Sequence, residues 1–205
     1  MEVFEFRGVS DLVYAEVLTD DNDEESGYTT GTVKPLSPVA EIGKTTETSS
    51  EAKYYDNIPL IVINSEGVDE IKIICAPPNL ETLSDITGKY YDATKGAMIG
   101  APREVKYFAI GYKTKGTDGK ERYVWRFKGT FSIPDETSKT EDDGTDSENT
   151  ELTFTGIYTT HKFTVDSKKK PVKDLVVDER YDKADLSTYF TTVTTPETLK
   201  AKEGV

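Results

Sequence analysis

The amino-acid sequence predicts a mainly β fold, a β-sandwich or barrel in one domain over residues 1–205, with one flanking α-helix. Two observations lead to this prediction. Apolar and polar residues alternate along several segments, which is the pattern of half-buried antiparallel strands. Apolar residues make up only 35% of the 205 positions, but they include 12 Tyr and 8 Phe, which suit a core built on aromatic side chains.

The clearest strand covers residues 122–133, where apolar side chains recur at nearly every second position. The positions expected on its buried face are Tyr123, Trp125, Phe127, Phe131 and Ile133. Residues 104–114 are the expected partner strand, because Thr117-Asp118-Gly119 between the two segments has the chemistry of a tight hairpin turn. A further strand is expected after Leu152, where apolar residues alternate with threonines.

More strands and two helices complete the predicted elements. The other strands are expected at residues 11–19, 32–42, 58–64 and 68–76. Residues 80–88 predict an α-helix, because apolar residues recur at helical spacing and Gly88 is placed to end it. Asp182 is a candidate N-cap of a short C-terminal helix, and residues 191–205 are expected to form a C-terminal tail.

The negative charge is concentrated in two segments. The formal net charge is −13, and residues 20–25 and 134–151 hold five and eight carboxylates, while the rest of the chain is nearly neutral. Such a surface repels nucleic acid, since binding to phosphates requires clustered Lys and Arg. Residues 134–151 are expected to form an acidic loop at the tip of a hairpin. One interpretation is that both acidic segments only confer solubility.

Residues 43–57 do not fit a buried element. They are rich in Thr and Ser, and they have no apolar face before the tyrosine pair near their end. A free loop of this length is unusual, so we expect an extended arm that lacks backbone partners of its own and gains them from a partner chain. In the isolated chain the arm should be mobile, because too few local contacts offset the entropy lost on ordering it. Half of the arm, folded as a hairpin, would extend roughly 25 Å. The residues expected to make its contacts are Thr45, Thr46, Thr48, Tyr54 and Tyr55.

Catalytic and metal-binding motifs are nearly absent from the sequence. The single cysteine, Cys75, lies in an apolar strand, so a catalytic Cys–His pair is disfavoured. Neither acidic segment fits an EF-hand, because Gly144 or Gly27 at the sixth position places Thr150 or Val33, rather than Glu, at the twelfth. An irregular site for a divalent cation stays open. We expect no cofactor and no enzymatic activity.

Several stretches of the sequence share an order and spacing with one protein family. They are GVSDLVYAEVLTDD, GYTTGTVKPLSPVAEIGKTTETSSEAKYYDN, LETLSDITGKYYD, and ERYVWRFKGTFSIPDETSKT followed by LTFTGIYTTH. In these stretches the chain resembles the major tail proteins of long-tailed, non-contractile bacteriophages, from residue 8 to about residue 193. The sequence departs from the family after KGTFS, where mixed lysines and acids are usual and this chain is nearly all acidic.

The resemblance implies a β-sandwich with a flanking helix, assembled as hexameric rings that stack into the tail tube of a virion. The implied partners are further copies of the chain, the tape-measure protein, the tail terminator and the distal tail protein. DNA would pass through without specific binding, since lumenal carboxylates repel phosphate. Residues 43–57 would be the arm between subunits of neighbouring rings. The candidate lumen-facing acids are Asp142, Asp143, Asp146 and Glu148.

The expected location follows from the same family and from two absences. The first residues lack a signal-peptide pattern, and no segment approaches the ~20 apolar residues of a membrane span. We therefore expect assembly in the host cytoplasm and no contact with a membrane.

An alternative hypothesis is a secreted β-sandwich that binds carbohydrate or another ligand. Its stacking platform would be drawn from Tyr54, Tyr55, Tyr90, Tyr91 and Trp125. The missing export pattern counts against it, and packing is the more common role of such aromatic residues. An enzyme is the third hypothesis.

Overall fold

The computed structural model describes residues 3–22, 27–140 and 148–202, and it is mostly β, as the sequence predicts. The strands are β1 (Phe6–Asp20), β2 (Tyr28–Thr30), β3 (Lys34–Pro35), β4 (Val39–Tyr55), β5 (Ile58–Cys75), β6 (Tyr90–Asp92), β7 (Ala97–Ile99), β8 (Phe108–Gly116), β9 (Glu121–Phe131), β10 (Thr150–Gly156), β11 (Lys162–Val165), β12 (Lys168–Pro171) and β13 (Asp174–Asp178). The α-helix α1 (Leu80–Thr87) follows β5, and a 3₁₀ turn (Glu179–Tyr181) follows β13.

Most strands belong to one antiparallel sheet with the order β2-β1-β8-β9-β10-β5-β4. Strand β9 pairs with β8 along one edge. Along the other edge, its residues 122–126 pair with β13 and its residues 129–131 pair with β10. The sheet therefore forks at β9 and folds over itself as a sandwich-like arrangement that is not closed.

Both faces of β9 are buried, whereas the sequence predicts one buried face. Trp125 and Phe127 belong to one core cluster, but Phe131 belongs to another. The register between β8 and β9 shifts between Phe108 and Ile110, where β9 carries one extra residue. Such a bulge reverses the alternation of side chains along a strand. The prediction that Phe131 shares a face with Trp125 is therefore wrong.

The two core clusters lie on different sides of the forked sheet. The first is made of Leu12, Tyr14, Leu36, Ile71, Ile73, Cys75, Ile86, Phe108, Ile110, Tyr112, Val124, Phe131, Leu152 and Phe154. The second is made of Ala15, Ala109, Trp125, Phe127, Tyr189 and Val193. Helix α1 contributes Ile86 to the first, and the C-terminal segment covers the second. Part of the predicted C-terminal tail is thus packed in the core, at Val193.

Helix α1 confirms the predicted helix and its ends. The side chain of Asn79 accepts a hydrogen bond from the main-chain N–H of Thr82 at 2.7 Å, as an N-cap residue does. Gly88 ends the helix at φ 69°. A side chain at this position would also be blocked, because a Cβ would lie 1.8 Å from the carbonyl oxygen of Glu104.

Several predicted boundaries are wrong. The segments 58–64 and 68–76 form one long strand, β5, and the segment 32–42 divides into β3 and the start of β4. Ile133 lies beyond the end of β9 and is 48% exposed. Asp182 ends the 3₁₀ turn, with φ 47°, instead of starting a helix. Across the residues that the structure describes, no helix is long and apolar enough to cross a membrane.

Candidate interaction surface

Strands β4 and β5 form a long hairpin that continues beyond the rest of the sheet. Strand β10 pairs with β5 only over residues 69–75, so the hairpin extends past this neighbour from residue 68 outward. We call residues 48–66 the projecting hairpin. Each of its strands has about eight residues, which at ~3.3 Å per residue extend roughly 25–30 Å.

The projecting hairpin ends in a two-residue turn that the sequence favours. Asp56 and Asn57 have φ angles of 49° and 63°. Asp and Asn tolerate this left-handed conformation better than other non-glycine residues, and two such residues make the type I′ turn that suits twisted strands. The turn places Tyr55 directly opposite Ile58.

The predicted arm, residues 43–57, is one strand of this hairpin. Its backbone pairs with β5 of the same chain as far as Tyr55, so the expectation that it lacks partners of its own is wrong. This pairing could not be inferred from the sequence pattern, because the partner segment continues without a break into the core part of β5. Of the predicted contact residues, Thr45 and Thr46 pair with residues 70 and 69 at the body of the sheet. The projecting hairpin carries the others, Thr48, Tyr54 and Tyr55.

Apolar side chains lie exposed on both faces of the projecting hairpin. Ala52 lies opposite Val62, and Lys53 lies opposite Ile61 on the adjoining row. Residues directly opposite share a face, and successive residues of a strand point to opposite faces, so Val62 and Ile61 lie on different faces. Both remain exposed, Val62 at 58% and Ile61 at 48%.

The exposed apolar side chains of the hairpin are Tyr54, Tyr55, Ile58, Leu60, Ile61, Val62 and Ile63. Strand β5 is apolar at nearly every position from Ile58 to Ile63, a pattern typical of a strand buried on both faces. In this chain none of the described residues covers the same run on either face. A contiguous exposed apolar surface of this kind marks a site of protein–protein contact. Sequence reasoning predicted a strand at residues 58–64 but missed this surface, because the run itself does not show that it is uncovered.

The candidate lumen-facing acids lie between β9 and β10, which pair as the two strands of a hairpin. Glu148 is exposed, and its carboxylate oxygen Oε1 forms an ion pair with Lys139 Nζ at 2.6 Å. Asp142, Asp143 and Asp146 lie outside the described residues.

The aromatic residues of the alternative hypothesis do not form one platform with Trp125. Trp125 is fully buried, and its indole N–H donates to the main-chain oxygen of Tyr189. Tyr90 is exposed and Tyr91 is half-buried on the small β6–β7 hairpin. Because Trp125 is packed inside the protein, it cannot stack on a ligand.

The two residues that could form a catalytic pair lie in different surroundings. Cys75 lies in the first core, where burial raises the pKa of its thiol. His161 packs edge-on against Phe163, and its Nδ1 lies 3.0 Å from the carbonyl oxygen of Asp21. Across residues 3–22, 27–140 and 148–202, no group of three or more His, Cys, Asp or Glu side chains has the geometry of a metal site.

No protein-family model matches the sequence, and no curated protein matches it either. The resemblance to phage tail proteins therefore stays a prediction that rests on the quoted sequence stretches.

Proposed function

We propose that this chain is a structural subunit that assembles with copies of itself into stacked rings, as the tail-tube proteins of long-tailed bacteriophages do. In this role it performs no catalysis, and it needs no cofactor. The tube would form in the host cytoplasm and remain in the virion, where DNA passes through it. The tape-measure protein, the tail terminator and the distal tail protein are the further partners that the resemblance implies.

The projecting hairpin is the observation that carries this proposal. It places seven large apolar side chains in water, well away from the core of the same chain. Completing the burial of a half-exposed Ile or Leu contributes roughly 1 kcal/mol, at about 25 cal/mol per Å². A hairpin that is apolar on both faces is covered best when it inserts between surfaces of other copies. A length of roughly 25–30 Å is sufficient to cross a subunit boundary.

The distribution of charge supports the same role. The acidic segment 134–151 would be repeated by each copy around a ring, and a lumen lined in this way repels the phosphates of DNA. The net charge of −13 also keeps free subunits apart until apolar contacts outweigh the repulsion. Assembly should therefore become more favourable as salt screens the repulsion.

The ligand-binding alternative has less support. Trp125, the largest residue of its predicted stacking platform, is buried in the core. Tyr54 and Tyr55 remain exposed, but they lie at the end of a two-stranded hairpin and not in a concave site, where small ligands usually bind.

The test is assembly of the purified protein over a concentration series, followed by sedimentation velocity and negative-stain electron microscopy. We expect rings or tubes in concentrated samples of the native chain. Ile61→Ser combined with Ile63→Ser should prevent stacking, because both changes fall on one apolar face of the projecting hairpin. The matched control is Ile61→Val with Ile63→Val, which keeps the face apolar and should still assemble.

The assembly of the native chain tests the proposed function, and the comparison of the two variants tests the contact made by the projecting hairpin. Monomers at every concentration and salt would overturn the proposed function. Tubes formed equally by the serine and valine variants would leave self-assembly standing, and would show that this face of the hairpin does not make the contact.

A further inference from the structure

A cluster of buried charges lies where the projecting hairpin leaves the body of the sheet. Its centre is Asp69, which is only 1% exposed. Lys44 Nζ lies 3.3 Å from one carboxylate oxygen, and Lys173 Nζ lies 3.3 Å from the other. The guanidinium of Arg126 lies 4.0 Å from the same carboxylate oxygen as Lys44. Asp69 is also the outermost residue of β5 that pairs with β10, opposite Gly156.

The cations keep this carboxylate ionised. Burial alone would raise the pKa of Asp69, but hydrogen bonds from Thr46, Lys44 and Lys173 hold it below its ordinary value. A buried charge is costly unless it is paired, so a carboxylate at this place requires its partners. Asp69 has three cationic partners, and it therefore stays compensated when one of them is removed.

Lys173 differs from the other partners because it joins two parts of the molecule. Its main-chain oxygen accepts a hydrogen bond from the N–H of Phe127 in the centre of β9, at 2.9 Å. Its ammonium group binds the carboxylate of Glu66 at 2.7 Å and the carbonyl oxygen of Gly67, in addition to Asp69. Lys173 thus links the body of the sheet to the first residues of the projecting hairpin.

These contacts lie at a β-bulge where the projecting hairpin joins the body of the sheet. The register of β4 and β5 shifts between Thr46 and Thr48, where β5 has one residue more than β4, and Gly67 lies inside this bulge. A bulge bends a strand, and a two-stranded ribbon is only marginally stable on its own in water. Among the described residues, Lys173 is the side chain outside β4 and β5 that hydrogen-bonds to residues 66 and 67.

We propose that Lys173 is a positioning residue that sets the direction in which the projecting hairpin leaves the body of the protein. Its ammonium group contacts Glu66 on the outer side of the bulge, Gly67 within it and Asp69 on the inner side. The direction of the hairpin is a property of the single chain. Its consequence for stacking rests on the proposed function.

Distance measurement between two spin labels in the monomeric full-length chain tests this proposal. One label is attached at Asn64→Cys on the hairpin and the other at Lys120→Cys in the β8–β9 turn, both exposed positions. Cys75 is buried, so the labels react with the introduced thiols. Lys173→Met should broaden the distance distribution about twofold. The variant lacks the contacts of the ammonium group with Glu66 and Gly67, so the bulge can bend in more directions.

The matched control is Lys44→Met. It removes another cation from Asp69, but Lys44 lies on β4 and does not link the hairpin to the rest of the sheet. This variant should keep the distribution of the parent protein. An equally narrow, unshifted distribution in Lys173→Met, or equal broadening in both variants, would overturn the proposal.

A second variant covers the case in which Lys173→Met does not fold. Glu66→Ala removes the outer carboxylate and leaves Asp69 and its cations in place, and the Glu66 side chain is 50% exposed. This variant should fold and show partial broadening, and an unchanged distribution would count against Lys173. Because all these measurements use monomers, their outcome is independent of whether the chain forms tubes. If it does, Lys173→Met should also raise the concentration needed for assembly, about tenfold, since a freely oriented hairpin loses more entropy on docking.

Discussion

The indole Nε1 of Trp125 donates a hydrogen bond to the main-chain oxygen of Tyr189, at 2.9 Å in a fully buried environment. Tyr189 in turn donates from its hydroxyl to the carbonyl oxygen of Leu175 on β13, at 3.2 Å. These two bonds fix the C-terminal segment across β9 and β13. The segment therefore belongs to the fold and completes the second core.

Trp125→Ala is expected to lower the free energy of unfolding by about 3–5 kcal/mol, the usual cost of deleting a large buried aromatic side chain. Trp125→Phe is the milder control. It keeps most of the packing, and the Thr194 hydroxyl still donates to the Tyr189 oxygen at 3.0 Å. Urea denaturation followed by circular dichroism measures both. An unchanged midpoint for Trp125→Ala would contradict the burial of this residue.

Gly129→Ala is expected to cost roughly 1–3 kcal/mol, as other overpacked cores do. A Cβ at this position would lie 2.4 Å from the ring of Phe154 and 2.4 Å from the carbonyl oxygen of Thr155. The matched control is Gly43→Ala on β4, where no described residue other than the two chain neighbours comes within 4 Å of the added Cβ. Thermal unfolding of both variants should show a clear loss for the first only, and equal losses would contradict the steric argument.

Local patterns in the sequence were sufficient to predict much of the fold. Helix α1 was predictable because apolar residues recur at helical spacing and Gly88 ends it. The pairing of the strands on either side of the acidic segment was predictable because apolar and polar residues alternate along most of each strand. The hairpin turn before β9 followed from Asp118-Gly119 in the same way. Each of these features depends on a few neighbouring residues, so one sequence is enough to show it.

The features that were missed depend on residues far apart in the chain. The bulge that moves Phe131 to the other core arises from pairing with β8. Gly129 lies beside it, and a glycine within a strand is typical of a bulge, but it does not fix where the extra residue lies. The apolar run at residues 58–63 reads as a buried strand, and only the end of β10 shows that it is uncovered. Asp69 and Lys173 are separated by more than a hundred residues, so their contact could not be inferred from either one.

Asp20→Asn is expected to destabilise the protein at neutral pH by about 1.5–3 kcal/mol, the usual range for a hydrogen bond to a charged group. The carboxylate of Asp20 accepts from the main-chain N–H groups of Thr160 and His161, at 2.8 Å each, and from Lys128. Burial alone would raise the pKa of Asp20, but these donors hold it below its ordinary value.

The dependence on pH follows from the direction of this shift. A carboxylate with a lowered pKa in the folded state contributes fully above its unfolded pKa of about 4 and loses this contribution as the pH falls through the folded-state pKa. The native chain should therefore lose more stability below pH ~4 than Asp20→Asn does. Glu70→Gln, which removes an exposed carboxylate from β5, is the control. Urea denaturation at a series of pH values measures the slopes, and equal slopes for the native chain and Asp20→Asn would contradict the prediction.

Reversing the charge of the candidate lumen-facing acids tests the acidic segment in the proposed tube. The variant replaces Asp142, Asp143, Asp146 and Glu148 with Lys. We expect tubes to form, because the apolar contacts of the projecting hairpin are unchanged. Tubes assembled in the presence of short DNA fragments should retain them, since each copy then presents lysines to phosphate. Retention should fall steeply as salt is raised.

The location of the retained DNA distinguishes the lumen from the outer surface. DNA held in the lumen is protected from added nuclease, whereas DNA bound outside is digested. The control replaces the same acids with Asn and Gln, which removes the negative charge without adding a positive one. These tubes should retain little DNA, because neutral side chains release no counterions from phosphate. Retained DNA that the nuclease digests completely in the lysine variant would assign residues 134–151 to the outside of the tube. Normal DNA delivery by phages that carry the lysine changes would assign the loop to the outer surface or to a role in solubility.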